Sequence, residues 1–184
     1  MNFDVSLEYY LPKAGILSVG AFHKDIDNPV YGNETTLFDT TFEGRNYESL
    51  SISRPENAES GRVTGVEFNY QQFFTFLPSP FDGLGINLNY TIVDSTAALL
   101  TQARNVPFFK QSDTIGNFAL VYEKYGWEAR VALALSGAYI ESIGGSADTD
   151  GYIDGRKVID AKISYRINPH FTVFTELLNI NEEP

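Results

Sequence analysis

Apolar and polar side chains alternate along most of this chain with a period of two, the spacing that sends them to opposite faces of an extended strand. Eight segments show it. The first, about 3–11, sets Phe3, Val5, Leu7, Tyr9 and Leu11 against Asp4, Ser6 and Glu8. The second, about 16–26, places Leu17, Val19 and Ala21 opposite Ser18, Gly20 and Lys24. The third, about 62–73, opposes Val66, Phe68 and Tyr70 to Glu67, Asn69 and Gln71. The fourth is the cleanest, with Leu84, Ile86, Leu88, Tyr90 and Ile92 between Gly85, Asn87, Asn89 and Thr91. The same pattern returns over about 114–124, 127–136, 156–166 and 171–177. Helical periodicity is almost absent; residues 95–102 are the best candidate, for a turn or two of helix within a loop.

The connections alternate in length. Pro12-Lys13-Ala14-Gly15, the stretch from Pro78 to Gly83, Tyr125-Gly126 and Asn168-Pro169-His170 read as tight turns. The other connections, about 27–61, 95–112 and 140–155, are long. One rim is trimmed short and the other carries every elaborate loop. Strand length, two unlike faces and this asymmetry predict an all-β fold: an antiparallel transmembrane β-barrel segment of about eight meandering strands, with short periplasmic turns and long extracellular loops. Aromatic residues near strand ends, such as Tyr9, Tyr10, Tyr125, Trp127 and Tyr165, fit interfacial girdles. Alternation alone leaves two other architectures open. One is a complete eight-stranded outer-membrane barrel filled by its own side chains; the other is a soluble, lipocalin-like ligand-binding barrel with its apolar face turned inward.

Composition narrows the chemistry. The 184 residues carry 13 Lys+Arg against 24 Asp+Glu, a formal charge of −11 that repels phosphate backbones and argues against nucleic acid as a partner. The absence of Cys removes disulfides, thiolate metal sites and Cys nucleophiles together. Only two His are present, His23 and His170, far apart in sequence, so neither a His-based zinc site nor a His-dependent triad is expected. No secretory signal and no apolar run long enough for a transmembrane helix is found, which conflicts with a membrane barrel unless the chain is part of something longer.

Several stretches resemble the barrel of TonB-dependent outer-membrane receptors. They are Phe3-Asp4-Val5-Ser6-Leu7-Glu8-Tyr9-Tyr10, then Gly20-Ala21-Phe22-His23-Lys24-Asp25-Ile26, then Gly61-Arg62-Val63-Thr64-Gly65-Val66-Glu67-Phe68. Gly85-Ile86-Asn87-Leu88-Asn89-Tyr90-Thr91 and Glu176-Leu177-Leu178-Asn179-Ile180 are similar to its later strands, in the family's order. The resemblance implies that residues 1–184 are a partial barrel domain, without the plug, TonB box, signal peptide and closing strand. It implies a bacterial outer-membrane location among lipid, a small nutrient ligand such as a siderophore or saccharide, and TonB as the energy-delivering partner of the parent receptor. It implies no enzyme and no cofactor. Large transporters of this kind have about 22 strands. The ending Asn181-Glu182-Glu183-Pro184 is unlike the family's closing aromatic residue, so these eight strands are expected to precede the last one.

Candidate site residues are few. Asp148, Asp150 and Asp154 surround Gly151 as oxygen ligands of a calcium loop do, but without EF-hand spacing; a solvated acidic loop is the plainer reading. Asp25 and Asp27 open the longest loop and read more simply as a strand end than as a cation site. Glu8, Glu67, Glu123, Asp160 and Glu176 would face a wet lumen, where carboxylates are expected without catalysis. Tyr31, Phe38, Phe42, Tyr47, Phe108, Phe109 and Tyr152 are the loop aromatics available to stack on a ligand.

Overall fold

The structure is a computed structural model describing residues 1–13, 15–100 and 102–183. Ala14 of the first expected turn, Thr101 of the expected helical turn and the terminal Pro184 lie outside the described residues. The strands are β1 (Asn2–Leu11), β2 (Gly15–Asp27), β3 (Val30–Phe42), β4 (Arg45–Asn57), β5 (Ser60–Phe73), β6 (Leu84–Leu99), β7 (Arg104–Val106), β8 (Thr114–Lys124), β9 (Trp127–Ser136), β10 (Tyr139–Ser142), β11 (Gly151–Ile153), β12 (Arg156–Asn168) and β13 (Phe171–Leu177). Among the described residues, helical geometry is confined to two 3₁₀ turns, Phe81–Gly83 and Ala147–Thr149. No helix among them is long and apolar enough to cross a membrane, a fact that bears only on helices.

One antiparallel sheet runs β1-β2-β5-β6-β8-β9-β12-β13, with β7 folded back on β6. These eight path strands coincide with the eight alternating segments to within a few residues at each end, except that β6 runs on past Ile92 to Leu99. The sheet is open between β1 and β13. The long connections leave one rim. The first becomes the β3–β4 hairpin and the last the β10–β11 pair, each a separate two-stranded sheet.

Register turns the sequence alternation into two surfaces. Val5, Ala21, Val66 and Ile92 stand in one cross-strand row. Ile86, Leu120, Val131, Ala161 and Leu177 form another. This apolar face is open to the surroundings: Val5, Val66, Val131 and Leu177 are each about half exposed or more. A soluble barrel would turn these residues inward, because burying them is its main driving force. The opposite face carries Glu8, Ser18, Asn69, Asn89 and Asn117 in register, with Asn117 Nδ2 donating to Asn89 Oδ1 at 3.0 Å.

The apolar band has an upper boundary. Above Ala21, Val66 and Ile92, the same face presents His23, Thr64 and Asp94, and then Asp25, Arg62 and Thr96. On β6 the apolar positions run from Leu84 to Ile92, about 27 Å along a strand at about 3.4 Å per residue. At the usual barrel tilt that is about 20 Å of height, near the thickness of an outer-membrane apolar band.

Two differences from the sequence reading have clear causes. Residues 95–99 continue β6 rather than forming a helical turn, because Ala97, Ala98 and Leu99 find partners in Val106, Asn105 and Arg104 of β7. The 74–83 connection is a ten-residue excursion rather than a tight turn. It is pinned by Phe74 N–H to Leu84 O at 2.8 Å and by a Lys124–Asp82 ion pair to the neighbouring turn. The genuinely tight turn, Tyr125-Gly126, has positive φ at both positions (56° and 80°), the geometry that two-residue hairpin loops need.

Aromatic rings fill the space that glycines leave in the ladder. A Cβ on Gly65 would strike the Phe22 ring and sit 2.7 Å from the Ile92 carbonyl oxygen, whereas Gly32 has nothing within 4 Å. Gly65→Ala is therefore expected to destabilise the folded sheet by about 1–3 kcal/mol through overpacking. Gly32→Ala is expected to leave it nearly unchanged. Urea unfolding of the two variants in detergent or lipid checks this difference.

Candidate functional site

The well-buried apolar cluster among the described residues lies at the rim, where the extended end of β6 and its partner β7 meet the other long connections. Tyr31, Ala58, Ala97, Leu99, Val106, Ile140 and Ile143 pack together, with Phe108 against them. They come from all three long connections. The sequence reads each as a long extracellular loop, the second with a turn or two of helix over 95–102, yet together they form one assembly at the rim. Backbone bonds stitch it: Ala58 N–H to Pro29 O at 2.8 Å, Glu59 N–H to Ala98 O at 2.8 Å, and Lys110 N–H to Ile140 O at 2.9 Å. Glu34 N–H reaches Ile143 O at 3.3 Å, beside a parallel bridge between Asn33 and Ile143.

An ion pair latches two of the connections. Arg104 at the start of β7 places Nη1 2.7 Å from Asp150 Oδ2 and Nη2 2.7 Å from Oδ1, a bidentate fork. The guanidinium also donates to Gly144 O at 3.2 Å and, through Nε, to Gln102 Oε1 at 2.6 Å. Gly144 N–H completes the carboxylate at 2.9 Å. The Asp150 side chain is 3% exposed and that of Arg104 20%. Hydrogen bonding from Arg104 holds the Asp150 carboxyl below its ordinary range despite burial, and the same bond raises the Arg104 guanidinium.

A second hub secures the base of the β3–β4 hairpin. Glu56 accepts from Tyr31 Oη at 3.1 Å and from Arg54 Nε at 2.7 Å. Hydrogen bonds from Asn33, Arg54 and Tyr31 hold its carboxyl below the usual value. Beyond this base the hairpin projects freely, and its tip, Glu43-Gly44, closes with positive φ at both residues (49° and 76°).

The expected ligand aromatics divide accordingly. Tyr31, 5% exposed, and Phe108 belong to the apolar cluster, so their rings face protein. Phe38, Phe42 and Tyr152 are exposed, at 73%, 48% and 57%. Tyr47 and Phe109 are half-buried, Tyr47 beside Thr40 in the hairpin and Phe109 beneath the Lys110 ammonium, which lies 5.1 Å from its ring centre. Of the three acidic calcium candidates, Asp150 has both oxygens engaged by Arg104, while Asp148 and Asp154 are exposed. Among the described residues no three His, Asp or Glu side chains converge as a metal-holding group. Asp25 is paired to Arg62 at 3.4 Å and to His23 at 3.3 Å rather than left open for a cation.

Below the assembly, the polar face offers a lumen wall. Val121, Arg130, Lys162 and Glu176 share one row, with Lys162 Nζ 2.5 Å from Glu176 Oε1. Arg130 and Lys162 line both of the grooves on this part of the wall. Sequence reasoning missed Arg104 and Glu56 altogether. A lone charge inside a loop carries no periodic signal, although the apolar residues Leu99, Val106, Ile140 and Ile143 in supposed loops did hint at a second core.

A sheet that exposes its apolar face, keeps polar side chains on the other and gathers long loops at one rim defines the wall of an outer-membrane β-barrel. The family model described as TonB dependent receptor-like, beta-barrel matches residues 1–180, and the chain belongs to that family. Its barrel closure follows from the family, and the family is one of receptors rather than enzymes. Among solved structures, the unliganded ferric citrate transporter FecA superposes with a TM-score of 0.72 at 14% identity, over 98% of this chain and 26% of that one. A point mutant of the ferric enterobactin receptor PfeA from Pseudomonas aeruginosa gives 0.63 at 14% identity, over 98% and 25%. The siderophore receptor PirA from Acinetobacter baumannii gives 0.62 at 11% identity, over 98% and 27%. The chain thus spans about a quarter of the length of these receptors. Comparison with curated proteins gives no match.

Removing one partner of a buried ion pair leaves the other charge unpaired, at a cost of about 3–5 kcal/mol. Arg104→Ala is therefore expected to undock the 95–112 connection from 140–155, seen as faster hydrogen exchange in both segments with the β8–β9 ladder unchanged. The depressed Asp150 carboxyl fixes the sign of the pH dependence. Its contribution is complete above the ordinary aspartate pKa and is lost as pH falls through the lower folded value. The loops are expected to remain docked at pH 5 and to release only in stronger acid; exchange measured along a pH series, corrected for intrinsic rates, tests it.

Proposed function

We propose that this chain is the partial barrel wall of an outer-membrane receptor for active uptake of a siderophore, saccharide or similar small nutrient. In the parent receptor, a plug and the TonB machinery gate the passage and supply the energy. The observation that carries this reading is the division of the molecule into an exposed apolar band, a polar inner wall and one rim of interlocked loops. A lipid-embedded wall needs the first, a wet path for a polar solute the second, and capture from outside the third. The exposed rim aromatics Phe38, Phe42 and Tyr152, with Tyr47 and Phe109 beside them, are the proposed ligand contacts. Tyr31 and Phe108 support them from beneath. A ferric chelate is the first ligand class to test, since FecA, PfeA and PirA are a ferric citrate transporter, a ferric enterobactin receptor and a siderophore receptor.

Orientation is directly measurable because the chain has no Cys of its own. Glu43→Cys at the hairpin tip is expected to react with a membrane-impermeant maleimide on intact cells expressing the receptor. Gly126→Cys at the opposite rim is expected to react only after the cells are opened. The reverse pattern, or equal labelling, would overturn the placement. For transport, cells relying on this receptor are expected to take up a ferric chelate or saccharide from a test panel only while TonB is functional. Uptake that survives loss of TonB would refute the energy-coupled reading.

A further inference from the structure

The ladder between β12 and its neighbours is uneven. On one side β12 pairs with β9 from Arg156 to Tyr165; on the other, β13 covers it only from Ala161 to Asn168. Among the described residues, the stretch from Arg156 to Asp160 therefore has no strand on that second side, just below the point where the long 137–155 connection re-enters the sheet. An open edge here would leave four backbone groups unpaired, the N–H and C=O of Lys157 and of Ile159.

All four are met by residues 178–183, and mostly by side chains. The chain leaves β13 after Leu177 and turns at Asn179, where φ is +51°. Asp160 Oδ1 accepts from Asn179 N–H at 2.8 Å, which fixes the turn. Ile180 N–H then donates to Ile159 O at 2.8 Å. The Asn181 carboxamide does what a strand residue would do. Its Oδ1 accepts from Ile159 N–H at 2.9 Å, and its Nδ2 donates to Lys157 O. Glu183 Oε1 accepts from Lys157 N–H at 3.1 Å. Asn179 and Glu183 close the loop on itself: Asn179 Nδ2 donates to Glu183 O at 2.8 Å and Glu183 N–H to Asn179 Oδ1 at 3.0 Å.

We propose that residues 178–183 are a side-chain clasp that seals the rim edge of β12 against strand addition. Any strand that joins this side of the sheet does so along Phe171–Leu177 of β13 and stops there. The same clasp anchors the foot of the 140–155 connection, since Lys157 and Ile159 follow its last residues directly. An amide side chain suits the task because it carries a donor and an acceptor in the geometry of a peptide group. A continued regular strand would satisfy the same groups, but it would extend the edge on which a further strand could grow. The inference does not depend on the ligand or on TonB coupling, so its failure and theirs are separately readable.

Hydrogen exchange on the full receptor containing this segment, in detergent micelles and resolved to single amides over 156–161, is the test. In the parent protein, Lys157 and Ile159 amides are expected to be protected although no strand covers them. Asn181→Ala is expected to speed exchange at Ile159 by about 10-fold or more, the factor that loss of ordinary hydrogen bonds produces. Asn181→Asp retains the acceptor and is expected to fall between the two, and Glu183→Ala is expected to speed Lys157 with less effect on Ile159. Protection of Ile163 and Tyr165, beneath β13, should stay constant and report that the barrel is folded. Unchanged protection at Lys157 and Ile159 in both alanine variants would mean that another strand covers this edge, and would overturn the clasp. Unprotected amides in the parent protein would overturn it equally.

Discussion

The rest of this structure depends on one constraint: where the surroundings are apolar, every backbone N–H and C=O must be paired within the protein. A meandering antiparallel sheet satisfies it strand by strand, and the alternation of side chains then follows without further choice, apolar toward lipid and polar toward the lumen. The same constraint explains details that packing alone would not. Glycines on the ladder, such as Gly65 under the Phe22 ring, allow close approach while keeping the hydrogen-bond register intact. The rim end of β12, which β13 fails to cover, recruits an asparagine and a glutamate to supply the missing partners. The main sheet itself ends in open edges at β1 and β13.

A barrel wall of this kind has no conventional core, since lipid takes the place of the second layer. The hydrophobic effect therefore acts elsewhere, above the rim, where water returns. There three connections bury Leu99, Val106, Ile140 and Ile143 and behave as one small domain. The buried Arg104–Asp150 pair adds orientation more than net stability, because both ions must first be stripped of water. The interlocked connections leave the outer part of the β3–β4 hairpin as the projecting element. Stability and presentation are thus divided between the two ends of the hairpin, with Tyr31 and Glu56 at the base and Phe38 and Phe42 toward the tip.

Much of this was legible in the sequence, and the part that was not has a consistent origin. The eight wall strands could be read because each has two environments, lipid and lumen, which impose a period of two on residues such as Leu84 through Ile92. The tight Tyr125-Gly126 turn could be read because its backbone demands residues that tolerate positive φ. The hairpin β3–β4 was missed although Glu43-Gly44 marks a similar turn. Its outer half is exposed on both faces, so Thr36, Ser51 and their neighbours show no alternation to detect. The extension of β6 past Ile92 was missed because Ala97, Ala98 and Leu99 suit a helix equally well until β7 is present to pair with them.

By itself, the sequence determined the all-β class, which residues share a face of each wall strand, which rim bears the loops and which chemistries are excluded by the lack of Cys and scarcity of His. Those properties are local and repeat along the chain, so they survive in one dimension. The tertiary structure alone decided that the long connections share a core, that Arg104 engages both carboxylate oxygens of Asp150, and that Tyr31 and Phe108 face protein while Phe38 and Tyr152 face outward. Each of these is set by contacts between residues from about 25 to more than a hundred positions apart, or by the absence of such contacts. No spacing rule in a single sequence records them.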